Sequence, residues 1–178
     1  VAFIGAIELD TTQGKYAGFK ESAEYVGKQE GKSVTVLDPV YSGDFNASDK
    51  GIEFAKALMD QGADVFFGDA GAVDSGARQA IDEHNTAAGK VEVYDIAQPA
   101  DLLGQNECII CSQVTDNSSL VSMCMESVEN GTFEGGAVYG TMGNGVLSAG
   151  KISDLVPKEI QDKYNAYLEQ VKAGTFMK

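Results

Sequence analysis

Four short apolar runs recur through the first half of the chain at a nearly constant interval: VAFIGA from Val1, SVTVLD from Ser33, ADVFFG from Ala63 and VEVYD from Val91. Their starts lie about thirty residues apart, the length of one strand with its crossover helix in a βαβ unit. That spacing predicts a parallel sheet. The segments between the runs carry helical periodicity: Tyr16, Phe19, Ala23 and Val26, then Ile52, Ala55 and Met59, then Ala77, Ala80 and Ile81. Each set presents one apolar stripe to the sheet. Helix stops are expected at Gly31, Gly62 and Gly89, each just ahead of a strand, and Ser48 is expected to cap the second helix.

After Asp95 the rhythm changes. IAQPADLLGQNE reads as a loop and CIICSQV as a fifth strand, and the following helix carries Leu120, Cys124 and Val128 on one stripe and stops at ENGTFEGG. A short strand AVYG, a turn TMGNG and a last helix complete the chain. That helix has Pro157 in its first turn and Ile160, Tyr164, Tyr167 and Val171 on its stripe. With 178 residues, 43% of them hydrophobic, and no internal linker, residues 1–178 are expected to form one domain around one core. The fold class that follows is α/β: a mainly parallel sheet flanked by helices in three α/β/α layers. VAFIGA is too apolar for an exposed tail and lacks the architecture of a signal peptide, so translation is expected to start upstream of Val1.

Charge removes several function classes. Twenty-seven acids against 13 bases give a net charge of −14, spread along the chain, with no Lys/Arg stripe to attract a phosphate backbone. No nucleic-acid partner is expected, and anionic lipid is repelled by the same surface. No apolar run approaches the roughly 20 residues that span a membrane.

The motifs that suggest chemistry fail on their context. Cys108 and Cys111 form a CxxC, but ECIICSQV alternates like a strand, where residues three apart face opposite ways, and beyond Cys124 zinc could draw only on one histidine, His84, placed where a helix should be ending. The three cysteines are expected to be buried small hydrophobes, with no metal site. GVLSAGKI from Gly145 fits GxxxxGK but has Ile152 where a phosphate loop needs Ser or Thr, and Pro157 would break the helix that loop requires. GDAGAVDSG lacks the spacing of a dinucleotide fingerprint, so no cofactor is expected, although Gly71 should bring backbone close to the strand tips. A hydrolytic triad needs a histidine, and His84 should lie at the wrong end of its helix.

In open α/β sheets ligands bind beyond the carboxyl ends of the strands. Here those ends are GAIELD, DPVYSGDFN, GDAGAVDSG and DIAQ, which bring Glu8, Asp10, Asp44, Asp74 and Asp95 to one side. Two of these acids could act as a glycosidase-like pair, against the simpler reading of surface acids in an acidic chain. Phe45 stands out because no core-facing period calls for an aromatic in YSGDFNAS. Its ring either stacks on a flat ligand or folds back as a hydrophobic plug.

Read in order, VAFIGAIE with YAGFK, VYSGDFNASDKG, ALMDQGADVFFGDAG, VYDIAQ, GGAVYGTMGNGV and VPKEIQDKYNAYLEQVKAGTF resemble the basic membrane protein family, nucleoside-binding lipoproteins that serve ABC importers. The resemblance implies a two-lobed type I periplasmic-binding-protein fold of which this chain is the C-terminal lobe, with residues 112–135 crossing to pack on the absent first lobe. It implies Phe45 as the base-stacking aromatic and Asp95 as the first acid of a GVDSDQ-type strand end. It also implies Gly5, Gly71 and Gly145 as glycines that bring backbone to the cleft.

The chain departs from the family pattern at Ala97, where a second acid is usual, at Thr115, where a lysine is usual, and in GAVD, which replaces GGTG. The function implied is extracytoplasmic, lipid-anchored binding of a small polar ligand, foremost a purine nucleoside, for delivery to an ABC permease. A lobe alone is expected to bind weakly and to self-associate through its open face. The competing readings are a small α/β hydrolase or transferase using the strand-tip acids, and a sensory module of the same fold.

Overall fold

The computed structural model describes residues 1–178. Its sheet has the strand order β2-β1-β3-β4-β5-β6, with β1 Ala2–Gly5, β2 Val40–Tyr41, β3 Val65–Asp69, β4 Tyr94–Ala97, β5 Ile109–Thr115 and β6 Leu147–Ala149. The first five are parallel and β6 runs antiparallel to β5. Five helices accompany them: α1 Asp10–Gln29, α2 Ser48–Asp60, α3 Ala72–Ala88, α4 Asn117–Glu129 and α5 Lys158–Lys172. None is long and apolar enough to cross a membrane.

Alternation along the strands builds the layers. Ala2, Ile4 and Phe66 face one way and join Ala55 and Leu58 of α2 and Val73, Ala77, Ala80 and Ile81 of α3 in the main core. Phe3 and Phe67 are paired in register and face the other way, meeting α1 through ring contacts of Phe3 with Tyr16 (5.6 Å) and Phe67 with Phe19 (5.5 Å). Adjacent phenylalanines in ADVFFG thus serve opposite layers. α5 lies beside α1, joined by Tyr25 and Tyr167 against Phe176 and by Lys163 to Glu30 at 2.6 Å.

α2 and α3 touch through their backbones. A Cβ on Gly51 would lie 2.0 Å from the Val73 carbonyl oxygen, and one on Gly76 would lie 1.9 Å from that of Ser48. Only glycine at both places admits this approach.

Several expectations are corrected. The SVTVLD segment runs beside β1, with Leu37 N–H donating to Val1 and Val1 to Thr35, yet regular pairing is confined to Val40–Tyr41. Pro39 interrupts the segment because it has no N–H to donate. In VEVYD the strand starts only at Tyr94, because buried Asn85 takes both main-chain groups of Val93: its Oδ1 accepts from Val93 N–H at 3.0 Å and its Nδ2 donates to Val93 C=O at 2.8 Å.

AVYG is not a strand; the sixth strand is Leu147–Ala149, which takes the place beside β5. Ser48 opens α2 as its first residue and makes no capping bond. Pro157 stands immediately before α5 rather than in its first turn. The helix stops fall as expected, within two residues of Gly31, Gly62 and Gly89.

α4 buries no residue. Asp116 caps it through Ser118 N–H and Ser119 N–H, but Val121, Met125 and Val128, with Phe133 beyond, remain exposed.

Candidate functional site

Gly5, Tyr41, Asp69, Ala97 and Thr115 end the five parallel strands on one edge of the sheet. Gly145 stands on that edge too, because β6 enters antiparallel with Leu147 opposite Thr115.

The loop after β2 is tightly tied. Gly43 N–H donates to Ala6 (2.7 Å), Asn46 N–H donates to the Asp44 carboxylate (2.9 Å), and Lys50 Nζ donates to the Ser42 carbonyl (2.6 Å). These bonds present Phe45, whose own carbonyl accepts from Ala72 N–H at the start of α3 (2.8 Å). Gly71, at φ 64° and ψ −120°, places its backbone so that a Cβ there would lie 3.6 Å from Cβ and Cδ1 of Phe45. The contact is one-sided: 42% of Phe45 remains exposed. Structure therefore brings Phe45 and Gly71 together, and the ring is not a core plug.

The other residues fare differently. Gly5 lets the Tyr41 ring pass, since a Cβ there would lie 2.6 Å from it, so it admits a side chain and not a ligand. Gly145 lies in an exposed turn. Asp95 is not brought to the cleft: it is 5% exposed, and its Oδ2 accepts from Arg78 Nε of α3 at 2.7 Å inside the protein. Burial raises its pKa, with Arg78 opposing. Glu8, Asp10 and Asp44 are exposed at the edge, whereas Asp74 is buried beneath Ala70 N–H, which donates to its Oδ2 at 3.0 Å.

Burial pushes the Asp74 carboxyl up to about 6, although the Ala70 bond opposes it. A folded-state pKa above the unfolded 3.8 means that Asp74 contributes stability below pH ~4 that is lost as pH rises through 6. Asp74→Asn, which keeps an acceptor for Ala70, is expected to be more stable than the parent by ~1–2 kcal/mol at pH 7. Urea unfolding at pH 4 and pH 7 checks this, because the advantage should vanish at the lower pH.

The edge also holds a polar cluster that sequence reading missed. Asp69 Oδ1 accepts from Lys15 Nζ (2.7 Å) and Gln98 Nε2 (3.2 Å), its Oδ2 accepts from Thr12 Oγ1 (3.1 Å), and Lys15 also donates to Gln98 Oε1 (3.2 Å). The only available signal was an acid closing an apolar strand, VFFGD. Nothing local connects it to Lys15, 54 residues earlier.

The rejected motifs sit in unsuitable places. Cys108 and Cys111 are free, and burial pushes both thiols up, that of Cys111 to about 11, so neither is a thiolate at neutral pH. GVLSAGKI forms β6 and a following loop, not a loop and helix. His84 lies near the end of α3, 3.1 Å from Glu92, on the opposite edge of the sheet. No cluster of His, Cys, Asp or Glu is arranged to hold a metal ion. An apolar groove of about 520 Å³ between α1 and α5, lined by Val26, Val34, Tyr164, Leu168 and Phe176, lies by Val1 at the amino end of β1 and so away from this edge.

The chain as a whole is similar to known proteins. Residues 1–172 match the model of the family described as ABC transporter substrate-binding protein PnrA-like. The nucleoside-binding protein BmpA of an ABC transporter from Lactococcus lactis subsp. cremoris is 26% identical over 174 residues, covering 91% of this chain and 48% of that protein. The chain thus spans about half the length of the curated relative it matches.

Among solved structures, an ABC transporter solute-binding protein from Aeropyrum pernix K1 superposes with a TM-score of 0.71 at 22% identity, covering 99% of this chain and 45% of that one. A transcriptional activator of the comK gene from Bacillus halodurans gives a TM-score of 0.78 at 23% identity, covering 100% and 58%. At these identities the likeness establishes the shared fold.

Proposed function

The chain belongs to the PnrA-like family of ABC transporter substrate-binding proteins, and on that premise we propose that it is the second lobe of an extracytoplasmic receptor that closes over a purine nucleoside. The family is one of binding proteins and not of enzymes. In this reading the first lobe, joined to this one by crossing strands, supplies the other wall of the cleft. The receptor is held at the membrane by an upstream lipid anchor and hands its ligand to an ABC permease.

The observation that carries the reading is Phe45, held by its loop beside Gly71 and still open to solvent at the carboxyl edge. A ring carried on a tied loop and left uncovered is suited to stacking on a flat base. The nucleoside-binding name of the Lactococcus relative supports the ligand class. The exposed face of α4 supports the two-lobed arrangement: Val121, Met125 and Val128 form an apolar stripe that nothing in this chain covers, within the 112–135 segment expected to cross. Asp95 is withdrawn as a ligand-binding residue, because Arg78 already engages its carboxylate.

Isothermal titration of the two-lobed protein with inosine, adenosine and guanosine tests the proposal. Binding is expected, with Phe45→Ala weakening it about tenfold to a hundredfold through the lost stacking. The 178-residue chain alone should bind far more weakly. No nucleoside binding by the two-lobed protein, or a Phe45→Ala protein that binds like the parent, would overturn it.

A further inference from the structure

The Lys15, Asp69, Gln98 and Thr12 cluster draws its members from three places that come together at the carboxyl edge: α1, the tip of β3 and the residue after β4. It is firm below and open above. Thr12 and Gln98 are buried, whereas the side chains of Lys15 and Asp69 keep 33% and 20% of their surface. Counting bonds shows what remains available. An ammonium has three N–H donors, of which Lys15 directs one to Asp69 and one to Gln98. Both acceptor positions of Asp69 Oδ1 are filled, but Oδ2 accepts only from Thr12. One charged donor and one charged acceptor therefore stand side by side.

A ligand that complements such a pair offers an acceptor and a donor on adjacent atoms. A vicinal diol does this, because one hydroxyl oxygen can accept from the ammonium while the neighbouring hydroxyl donates to the carboxylate. The pair carries no net charge, and Glu8 and Asp44 stand exposed on the same edge, so a neutral ligand is favoured over an anion. Position agrees with this. Asp69 is two residues from Gly71, at most ~7 Å along the chain, and Gly71 is where Phe45 rests. Asp69 therefore lies about one sugar's length from where a base over Phe45 would sit.

We propose that Lys15 and Asp69, steadied by Gln98 and Thr12, form a subsite for the vicinal hydroxyls of the ligand's sugar. This rests on the nucleoside reading above. It gives the chain a charged hydrogen-bonding pair on α1 and β3 where positions 97 and 115 hold only Ala97 and Thr115.

Titration of the two-lobed protein with inosine and with 2′,3′-dideoxyinosine is the test. The parent should prefer inosine by about tenfold or more, the scale of a hydrogen bond to a charged group. Asp69→Asn and Lys15→Met should each weaken inosine about tenfold while changing dideoxyinosine by less than about twofold, so that the preference collapses. Because each variant is compared on two ligands, a loss of folded protein would lower both and would not imitate this result. A variant that keeps the parental preference, or weakens both nucleosides equally, overturns the subsite. A parent that binds both nucleosides alike also overturns it and leaves the nucleoside reading standing. A parent that binds neither overturns that reading and the subsite with it.

Discussion

Arg78→Ala is expected to destabilise the protein by about 3–5 kcal/mol, because it leaves the Asp95 carboxylate buried with no opposite charge. For a chain of this size such a loss lowers the melting temperature by about 10 °C or more. The double change Arg78→Met with Asp95→Leu should recover most of it, since two apolar side chains in that space carry no desolvation cost. Urea unfolding of the parent, the single variant and the double variant separates the outcomes. Equal losses in the single and double variants would show that the space, and not the ion pair, is what α3 needs. The comparison also bears on function, because a carboxylate required by Arg78 for stability is not available to a ligand.

Gly76→Val is expected to be as damaging, by about 3 kcal/mol or more. Its Cβ would start 1.9 Å from the Ser48 carbonyl oxygen, and backbone cannot swing aside as a flexible side chain does. Relief requires α3 to move away from α2, which would shift the first turn of α3 and with it Gly71 and the support of Phe45. The variant should therefore lose ligand binding in the two-lobed protein in proportion to its loss of folded structure. Circular dichroism melting checks the first part, and a melting temperature within a degree or two of the parent would refute the clash argument.

The legible parts of the molecule are those governed by nearest neighbours along the chain. β1 and β3 are short apolar runs closed by turn residues, and α1 to α3 repeat their apolar residues at helical intervals, so both their existence and their order could be read directly. The carboxyl edge followed from the parallel order, and Phe45 stood out from having no place in any apolar period, although only packing decided that it stays exposed. Boundaries were less legible where a distant group intervened. Val93 has the composition of a strand residue, yet Asn85, eight residues earlier, takes its main-chain bonds and delays β4. AVYG likewise has strand character, but Leu147–Ala149 takes the place beside β5.

Polar residues were the least legible, and the site shows why. Asp69 and Asp95 are both strand acids preceded by apolar residues, and no local pattern separates them. One meets Arg78 from α3 in the interior and becomes structural. The other meets Lys15, Thr12 and Gln98 at the open edge, where one acceptor position of its Oδ2 stays unfilled. What the amino-acid order determined by itself is the layered α/β scaffold, its helix stops and the edge on which the strand tips gather, because periodicity and turn chemistry act over a few residues. Tertiary structure alone decided which acid faces that edge, because the role of a charged side chain is set by the partners and the exposure that packing assigns to it.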